Sequence, residues 1–336
     1  MNIRFTIIMP VYNGEKYISS CLESIIYQSF SNFQLIIVND GSTDNTKSIC
    51  KKYENQDSRI CYIENPINLG VSASRNKALD IANGEYIFFV DVDDKIRQNT
   101  LLTINDTLNN NCLLYIYNYE LVQNNIYTTI STKYIDPNIS NIICDIIEPI
   151  SCKTPFTRTI CAKVFHNSII KNIRFNEKLK LGEDACFLVE VIKHLKIDQI
   201  QFNKDIWYTY NKNNVDSAST KPKEYVYEQS FLQINVLKEL TNNLNYIDTV
   251  DLNTSLCKLS WRLFWVIYYQ GQILNNDKCF DWLISNRTLL LNKNIKKIDF
   301  NDKIKNLALK FRNIICSNSF IKFYRNIYNK RSNTYR

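Results

Sequence analysis

Hydrophobic positions in the first 90 residues alternate between short continuous runs and runs with helical spacing. A short apolar run predicts a buried strand, and the 3–4-residue spacing predicts an amphipathic helix. Strands are predicted at 5–11, 34–38, 59–63 and 86–90, and helices at 15–28, 44–53 and 71–82. Strands that alternate with helices form a doubly wound α/β sheet, whose short connections bring the loops after the strands to one edge.

The pattern changes along the rest of the chain. Residues 113–122 are predicted as strand, with a hairpin turn at Asn124-Asn125, and 131–157 as loop. A helix begins at Glu183, and long helical stripes begin near Glu224. We therefore predict two regions. One is an α/β domain, 1–215, with halves 1–110 and 111–215, and the other is a helical C-terminal region, 216–336, with a basic tail.

Three carboxylates, Asp91, Asp93 and Asp94, follow the apolar strand at 86–90. Ligands of open α/β sheets bind at the carboxyl ends of the strands. Asp91 and Asp93 would face the same way, about 6.6 Å apart along an extended chain. Such oxygen ligands suit Mg²⁺ or Mn²⁺ shared with a phosphate. The alternative is that Asp93 or Asp94 caps the next helix.

The cysteine and histidine content argues against several kinds of catalytic and metal site. The chain of 336 residues has 11 cysteines with no CxxC pair, which is typical of reduced thiols and indicates a cytoplasmic protein. Its two histidines, His166 and His194, are far apart in the sequence. We therefore expect neither a histidine metal site nor a Ser–His–Asp triad.

The positive charge is concentrated at the end of the chain. The net charge is +8, and the residues from Lys293 onward contain twelve Lys or Arg against two Asp. This tail could form an interfacial helix on the inner, anionic face of the cell membrane, or stay solvated. We expect no signal peptide, no membrane-spanning helix and no nucleic-acid partner, since the corresponding patterns are absent.

The loop after the first strand lacks the glycine-rich sequences that bind phosphates. The turn after the first strand has one glycine, Gly14, so neither GxGxxG nor GxxxxGK[ST] is present. Phosphates would have to be bound by a metal or by side chains. Asp40, after the second strand, could accept hydrogen bonds from a base or ribose, or could be a turn carboxylate in Asp40-Gly41-Ser42.

Four motifs together resemble family 2 glycosyltransferases, which have the GT-A fold, a Rossmann-like mixed sheet. They occur in the family's order and spacing over residues 1 to about 110. They are Met9-Pro10-Val11-Tyr12-Asn13, Val38-Asn39-Asp40-Gly41-Ser42-Thr43-Asp44, Asn68-Leu69-Gly70 with Ser74-Arg75-Asn76, and Asp91-Val92-Asp93-Asp94.

The resemblance implies roles for the matching residues. The nucleotide of an activated sugar would be held by Pro10, Tyr12 and Asp40. Arg75 would lie near the diphosphate or ribose. Asp91 and Asp93 would bind ribose and a divalent metal, Mg²⁺ or Mn²⁺, with Asp93 as the direct ligand.

A later segment extends the resemblance. Lys163-Val164-Phe165 and the pair Glu183-Asp184 are spaced as in the family, although Cys161 stands where an aromatic residue is common. Asp184 would be the general base and Glu183 would place the acceptor. The alternative for the pair is a favourable interaction with the helix N-terminus.

The implied reaction is transfer of a hexosyl or N-acetylhexosaminyl group, with inversion, from a nucleoside diphosphate sugar. UDP is the expected nucleotide, and the acceptor would be a hydroxyl of a glycan or lipid-linked glycan, as in polysaccharide synthesis. Two rival classes are a sugar nucleotidyltransferase, which needs a glycine-rich basic first loop, and a non-catalytic nucleotide-sugar or carbohydrate binder.

Overall fold

The protein is described by a computed structural model. It describes residues 3–131, 138–147, 158–214 and 225–242, and the single positions 244, 247, 252, 255, 256 and 259. The chain divides into two units, Met1–Asp248 and Thr249–Arg336. The predicted basic tail lies outside the described residues, and the domain boundary at 215 stays a prediction.

The described part of the chain alternates strands and helices. The strands are β1 (Phe5–Val11), β2 (Phe33–Asn39), β3 (Ile60–Glu64), β4 (Tyr86–Phe89), β5 (Lys95–Ile96), β6 (Leu114–Gln123), β7 (Ile126–Ile130), β8 (Lys163–His166) and β9 (Ile200–Asn211). The helices are α1 (Ile18–Ile26), α2 (Thr46–Gln56), α3 (Val71–Ile81), α4 (Thr100–Thr107), α5 (Ile139–Ile147), α6 (Asn167–Ile170), α7 (Glu183–Ile192) and α8 (Val226–Thr241), with a 3₁₀ turn at Ile197–Gln199.

These strands form one mixed sheet in the order β3-β2-β1-β4-β8-β6-β9-β5, with β7 paired to β6. β1 is parallel to both β2 and β4, whereas β8 is antiparallel to its neighbours β4 and β6. All seven residues of β1 are buried, as expected for a central strand, and six of the seven are apolar, with Thr6 the exception. The predicted doubly wound mixed sheet is confirmed.

The order of the strands creates a crevice at the carboxyl end of β1. The chain runs outward from β1 through β2 to β3 and then returns to the other side of β1 as β4. Such a reversal is where open α/β sheets bind their ligands. The loops after β1, β2 and β4 all open at this edge.

The prediction of loop for 131–157 is wrong in its described part, because 139–147 form the helix α5. The sequence of α5 has five isoleucines, whose β-branched side chains disfavour helix. Buried contacts with α7 stabilise the helix instead. The hairpin turn is confirmed, since Asn124 and Asn125 have φ of 51° and 61° and join the antiparallel β6 and β7.

α8, at the start of the region predicted to be helical, packs on α7. Within the part of the chain that the structure describes, no helix combines the length and apolar character needed to cross a membrane.

Candidate active site

Reciprocal hydrogen bonds join the loops that follow β1 and β2. Asn13 Oδ1 accepts from the Thr43 amide at 2.8 Å, and the Asn13 amide donates to Ser42 Oγ at 2.9 Å. Asn13 has a φ of 49°, a left-handed conformation that asparagine tolerates better than most residues. This pairing fixes the end of β1, where Pro10 is buried and Tyr12 is 47% exposed. Of these two predicted nucleotide contacts, Tyr12 is the one at the surface.

Asp40 anchors the loop that precedes α3. Its carboxylate is buried and accepts hydrogen bonds from Asn65 Nδ2 at 2.8 Å, from the Leu69 amide at 2.9 Å and from the Gly70 amide at 2.8 Å. A carboxylate has about four acceptor sites, so three are occupied. Asp40 therefore holds the loop before α3 in place, and its contact with a nucleotide stays a prediction.

The turn reading of Asp40 is wrong. The amide of Ser42 donates to Asn39 Oδ1 at 3.1 Å, so it is the neighbouring asparagine that stabilises the Gly41-Ser42 turn. Asp40 instead spans about 30 residues of sequence to reach the Leu69 and Gly70 amides.

Arg75, on α3, is the centre of the acidic cluster at the crevice. Its guanidinium is 3% exposed and donates from Nη1 to Asp184 Oδ1 at 2.7 Å and from Nη2 to Asp91 Oδ1 at 3.1 Å. Glu183 Oε1 lies 3.7 Å from Nη1. One arginine therefore joins an aspartate that follows β4 to a pair that opens α7.

The surroundings of Arg75 hold it charged and in place. Its guanidinium lies 5.1 Å from the ring centre of Phe175 and 5.9 Å from that of Phe89, within cation–π range. Burial by itself lowers the pKa of Arg75, but the carboxylates of Asp184, Asp91 and Glu183 outweigh it and raise the pKa. Among the described residues Arg75 Nε has no hydrogen-bond partner. This nitrogen is buried, and the contact of Arg75 with a diphosphate stays a prediction.

Within the part of the chain that the structure describes, Asp91 and Asp93 each have one carboxylate oxygen without a hydrogen bond. Asp91 Oδ1 is bonded to Arg75, and Asp93 Oδ2 accepts from Asn214 Nδ2 at 2.8 Å. The Asp91 side chain is 35% exposed to the crevice. Burial among protein atoms raises the pKa of Asp91, Arg75 opposes that rise, and the charges of Asp184 and Asp93 add to it.

The donor set of Asp91 and Asp93 fits a divalent cation. Mg²⁺ is commonly held by one or two carboxylates together with waters and substrate phosphates, so two hard oxygens suffice on the protein side. Within the described residues no cluster of three or more His, Cys, Asp or Glu forms an all-protein metal site. That these two aspartates hold Mg²⁺ or Mn²⁺ stays a prediction.

Asp94 is a buried support for this turn and does not cap a helix. Its Oδ2 accepts from the Tyr208 hydroxyl at 2.5 Å and its Oδ1 from the Asn211 amide at 2.8 Å. The same hydroxyl accepts from the Asp91 amide at 3.3 Å. Burial, followed by the charges of Asp91 and Asp93, raises the pKa of Asp94 well above its usual range. The capping alternative is wrong, because α4 begins only at Thr100, after Asn99.

Glu183 and Asp184 occupy the first turn of α7, as the sequence predicted. Asp184 is held at both oxygens, by Arg75 at Oδ1 and by the Ile160 amide at Oδ2, 3.1 Å away. Burial, helped by the charge of Asp184, raises the pKa of Glu183 to about 7, against the opposing effect of Arg75. The negative charges of the pair are stabilised by the N-terminus of α7, as the alternative to a catalytic role predicted. Asp184 is also bonded to Arg75 at the crevice.

Sequence reasoning missed the contributions of β9 and the residues after it. Tyr208, Asn211 and Asn214 contact the Asp91–Asp94 turn but follow it by more than 110 residues. The run Ile206-Trp207-Tyr208-Thr209-Tyr210 is rich in β-formers, a signal that indicates the strand. Nothing in that run indicates that the strand would contact the Asp91–Asp94 turn.

Curated relatives match part of this chain. GlyA, a glycosyltransferase of Streptococcus pneumoniae serotype 4, is 31% identical over 232 residues, 65% of this chain and 32% of that protein. GgaB, a minor teichoic acid biosynthesis protein of Bacillus subtilis, is 34% identical over 58% of this chain and 22% of its own length. WfgD of Escherichia coli, named a UDP-Glc:α-D-GlcNAc-diphosphoundecaprenol β-1,3-glucosyltransferase, is 38% identical over 39% of this chain and 51% of its own. The chain thus spans a third or less of GlyA and GgaB.

Solved structures share the fold. The chain resembles S. aureus TarS 1-349 in complex with UDP, with a TM-score of 0.60, 20% identity and coverage of 91% of this chain and 88% of that one. The structure of TarS 1-349 with UDP-GlcNAc gives a TM-score of 0.55 at 21% identity, over 85% and 90% of the two chains. The family model for glycosyl transferase family 2 matches residues 6–174, half of the chain and the part that contains β1 to β8. The chain belongs to glycosyl transferase family 2.

Proposed function

We propose that this chain is an inverting glycosyltransferase. It moves a sugar from a nucleoside diphosphate sugar to a hydroxyl of a glycan or lipid-linked glycan. The observation that carries the proposal is the bridge made by Arg75 between Asp91 and Asp184, residues of two elements distant in sequence. This bridge supports the proposal because it joins Asp91, which we propose contacts the donor, to Asp184, which we propose is the base.

The donor side is formed by the loops at the carboxyl edge of the sheet. Tyr12 presents an exposed ring, and Asp40 keeps one acceptor site beyond its three loop contacts. In this proposal the nucleoside would lie near these two residues, with its diphosphate toward Asp91 and Asp93. A divalent ion bound there would neutralise the charge that develops on the leaving diphosphate.

Asp184 is the proposed general base. Transfer with inversion needs a group that removes the proton of the acceptor hydroxyl as its oxygen attacks the anomeric carbon. Asp184 is held at both oxygens, and its side chain is 22% exposed. That fixed orientation supports proton removal from one direction, and among the described residues each oxygen accepts one hydrogen bond, which leaves it a second lone pair.

Glu183 supports the acceptor rather than the base in this proposal. Its pKa of about 7 means that it is partly protonated near neutral pH, so it can donate a hydrogen bond to an acceptor oxygen as well as accept one. It lies in the same helical turn as Asp184. The two carboxyl groups would thus share the acceptor, one by placing it and the other by taking its proton.

The relatives suggest which substrates to try. UDP and UDP-GlcNAc are bound in the TarS structures, and WfgD is named for UDP-Glc and a diphosphoundecaprenol acceptor. GgaB is named for teichoic acid synthesis. We propose a UDP-sugar donor and a cell-surface glycan or its lipid-linked precursor. Such an acceptor would be met at the cytoplasmic membrane face, where the basic tail would bind.

The test is Asp184→Asn, which keeps the size of the side chain but removes its ability to take a proton. General-base catalysis contributes about 100- to 10,000-fold, so kcat should fall by that factor. The affinity for UDP, measured by calorimetric titration, should stay within about twofold, because the asparagine Oδ1 can still accept from Arg75 and the other proposed donor contacts lie on other elements. Glu190→Gln, on the same helix, is the matched control and should transfer sugar normally.

The outcomes separate an enzyme from a binder. Near-normal turnover in Asp184→Asn would assign the base to another residue, with Glu183 next to be tested. If wild type binds UDP but transfers no sugar from any UDP-sugar to lipid-linked or polymeric acceptors, the non-catalytic binder replaces the transferase.

A further inference from the structure

Lys163, the first residue of β8, is a buried cation that the proposed reaction leaves without a role. It is 1% exposed, and its Nζ donates to the carbonyl oxygen of Thr159 at 2.6 Å. That carbonyl belongs to the peptide bond between Thr159 and Ile160. The N–H of the same peptide bond donates to Asp184 Oδ2 at 3.1 Å. One peptide group thus stands between an ammonium and a carboxylate.

Hydrogen bonds in such a chain strengthen one another. A cation at the carbonyl oxygen draws electron density from the amide, which makes the N–H a better donor to Asp184. These hydrogen bonds lie in a poorly hydrated part of the protein, since Lys163, Ile160 and Cys161 are all buried. A low local dielectric enlarges the effect of the charge.

The charges around Lys163 agree with this geometry. Burial is the largest influence and lowers the pKa of Lys163 to about 8, whereas the groups of Cys161 and Asp184 act to raise it. The ammonium and Asp184 therefore interact electrostatically although a peptide group separates them. At neutral pH the side chain is mainly protonated and the chain of hydrogen bonds is complete.

If Lys163 only filled space in the core, a neutral side chain would stabilise the fold better. Placing an ammonium in the interior costs several kcal/mol of lost hydration, which hydrogen bonds only partly offset. A methionine has a similar length and no such penalty. Packing alone therefore does not explain why a charged side chain occupies this position.

We propose that Lys163 is a positioning residue for Asp184, and that it acts through the peptide group between Thr159 and Ile160. Arg75 holds one oxygen of Asp184 and this polarised amide holds the other. The carboxylate is thereby fixed in rotation, in contact with the guanidinium of Arg75 and separated by one peptide group from the ammonium of Lys163. The inference rests on the proposed role of Asp184 as the base.

The experiment compares three variants with the wild-type chain. Lys163→Met removes the donor and the charge, and Lys163→Gln keeps a neutral donor if the methionine variant does not fold. Lys171→Met is the matched control, because Lys171 is exposed and has no part in the proposed site. Transfer is measured from pH 5 to 9, together with hydrogen exchange of the Ile160 amide, which needs no activity.

We expect kcat to fall about 10- to 100-fold in both Lys163 variants, as for a misplaced catalytic group, with the donor KM nearly unchanged. The acid limb of the kcat profile should move to higher pH, because a base that has lost a nearby positive charge keeps its proton longer. The Ile160 amide should exchange faster in both variants. Lys171→Met should match wild type in all three measurements.

Two results would overturn the inference. One is an unchanged kcat and an unchanged Ile160 exchange rate in Lys163→Met. The other is a kcat lowered equally at every pH with the acid limb unmoved, which would reduce Lys163 to a structural support. If wild type transfers no sugar, the proposed function fails, and Ile160 exchange alone still decides whether Lys163 acts on the amide that holds Asp184.

Discussion

Glu183→Gln should make this protein more stable at alkaline pH, because folding forces an ionised carboxylate into an unfavourable place. The Glu183 side chain is 18% exposed and lies beside Asp184. Burial and the charge of Asp184 raise its pKa to about 7 from an ordinary value of 4.5, although Arg75 acts in the opposite direction. The native state therefore holds a proton that the unfolded state has already released between these two pH values.

The sign of the effect follows from this proton. Between pH 4.5 and 7 the native state binds more protons than the unfolded state, so the free energy of unfolding falls as the pH rises. A difference of one pKa unit corresponds to about 1.4 kcal/mol. The shift from 4.5 to about 7 therefore lowers the free energy of unfolding by about 3 kcal/mol once the pH is above 7. The proton is shared with the neighbouring carboxylates, and the side chain keeps some water, so we expect about 2 kcal/mol.

The assay is urea unfolding of wild type and Glu183→Gln at pH 5 and pH 8. Glutamine keeps the shape and cannot ionise, so the variant should be about 2 kcal/mol more stable than wild type at pH 8 and within about 1 kcal/mol at pH 5. Glu190→Gln is the control on the same helix. It removes an ion pair with Lys193 and should not stabilise the protein at either pH.

Equal stability of Glu183→Gln and wild type at pH 8 would refute the reasoning. If Asp184→Asn removes the pH dependence instead, the proton resides mainly on Asp184. A stabilised Glu183→Gln that also has a raised acceptor KM would connect the two findings, since a site that is unfavourable for the free protein is then one that the acceptor uses.

Two further predictions concern the donor side. Transfer should stop in EDTA and return with Mn²⁺ or Mg²⁺, and Asp93→Ala should remain inactive at every metal concentration; full activity in the chelator would remove Asp91 and Asp93 as metal ligands. Asp40→Ala should weaken UDP binding by about 1.5–3 kcal/mol, the contribution of a hydrogen bond to a charged group, and should speed hydrogen exchange of the Leu69 and Gly70 amides. Faster exchange with unchanged UDP affinity in a folded variant would leave Asp40 with its loop-anchoring role alone.

The local pattern of the sequence determined the first half of the fold. Apolar runs and helical spacing predicted β1 to β4 and α1 to α3 close to their observed positions. These elements are readable because each buries its own apolar face and the turns between them are short. The same reading located the carboxylates after β2 and β4, and the resemblance to a family added Arg75, Glu183 and Asp184 as site residues.

Only the tertiary structure decided which of these residues meet. Arg75 and Asp184 are 109 residues apart, and Asp94 and Tyr208 are 114 apart. Their contacts exist because β8 is inserted between β4 and β6 and brings the second half of the chain back to the first. Sequence periodicity reports which face of an element is buried, and it carries no information about the element that covers that face.

The helix α5 and the role of Lys163 show the same limit. The isoleucines of α5 favour a strand locally, and packing against α7 overrides that preference. Lys163 could be noticed in the sequence as part of a motif, but the peptide group that connects it to Asp184 is a matter of backbone orientation. Hydrogen-bond directions depend on the folded backbone, and only the folded chain sets them.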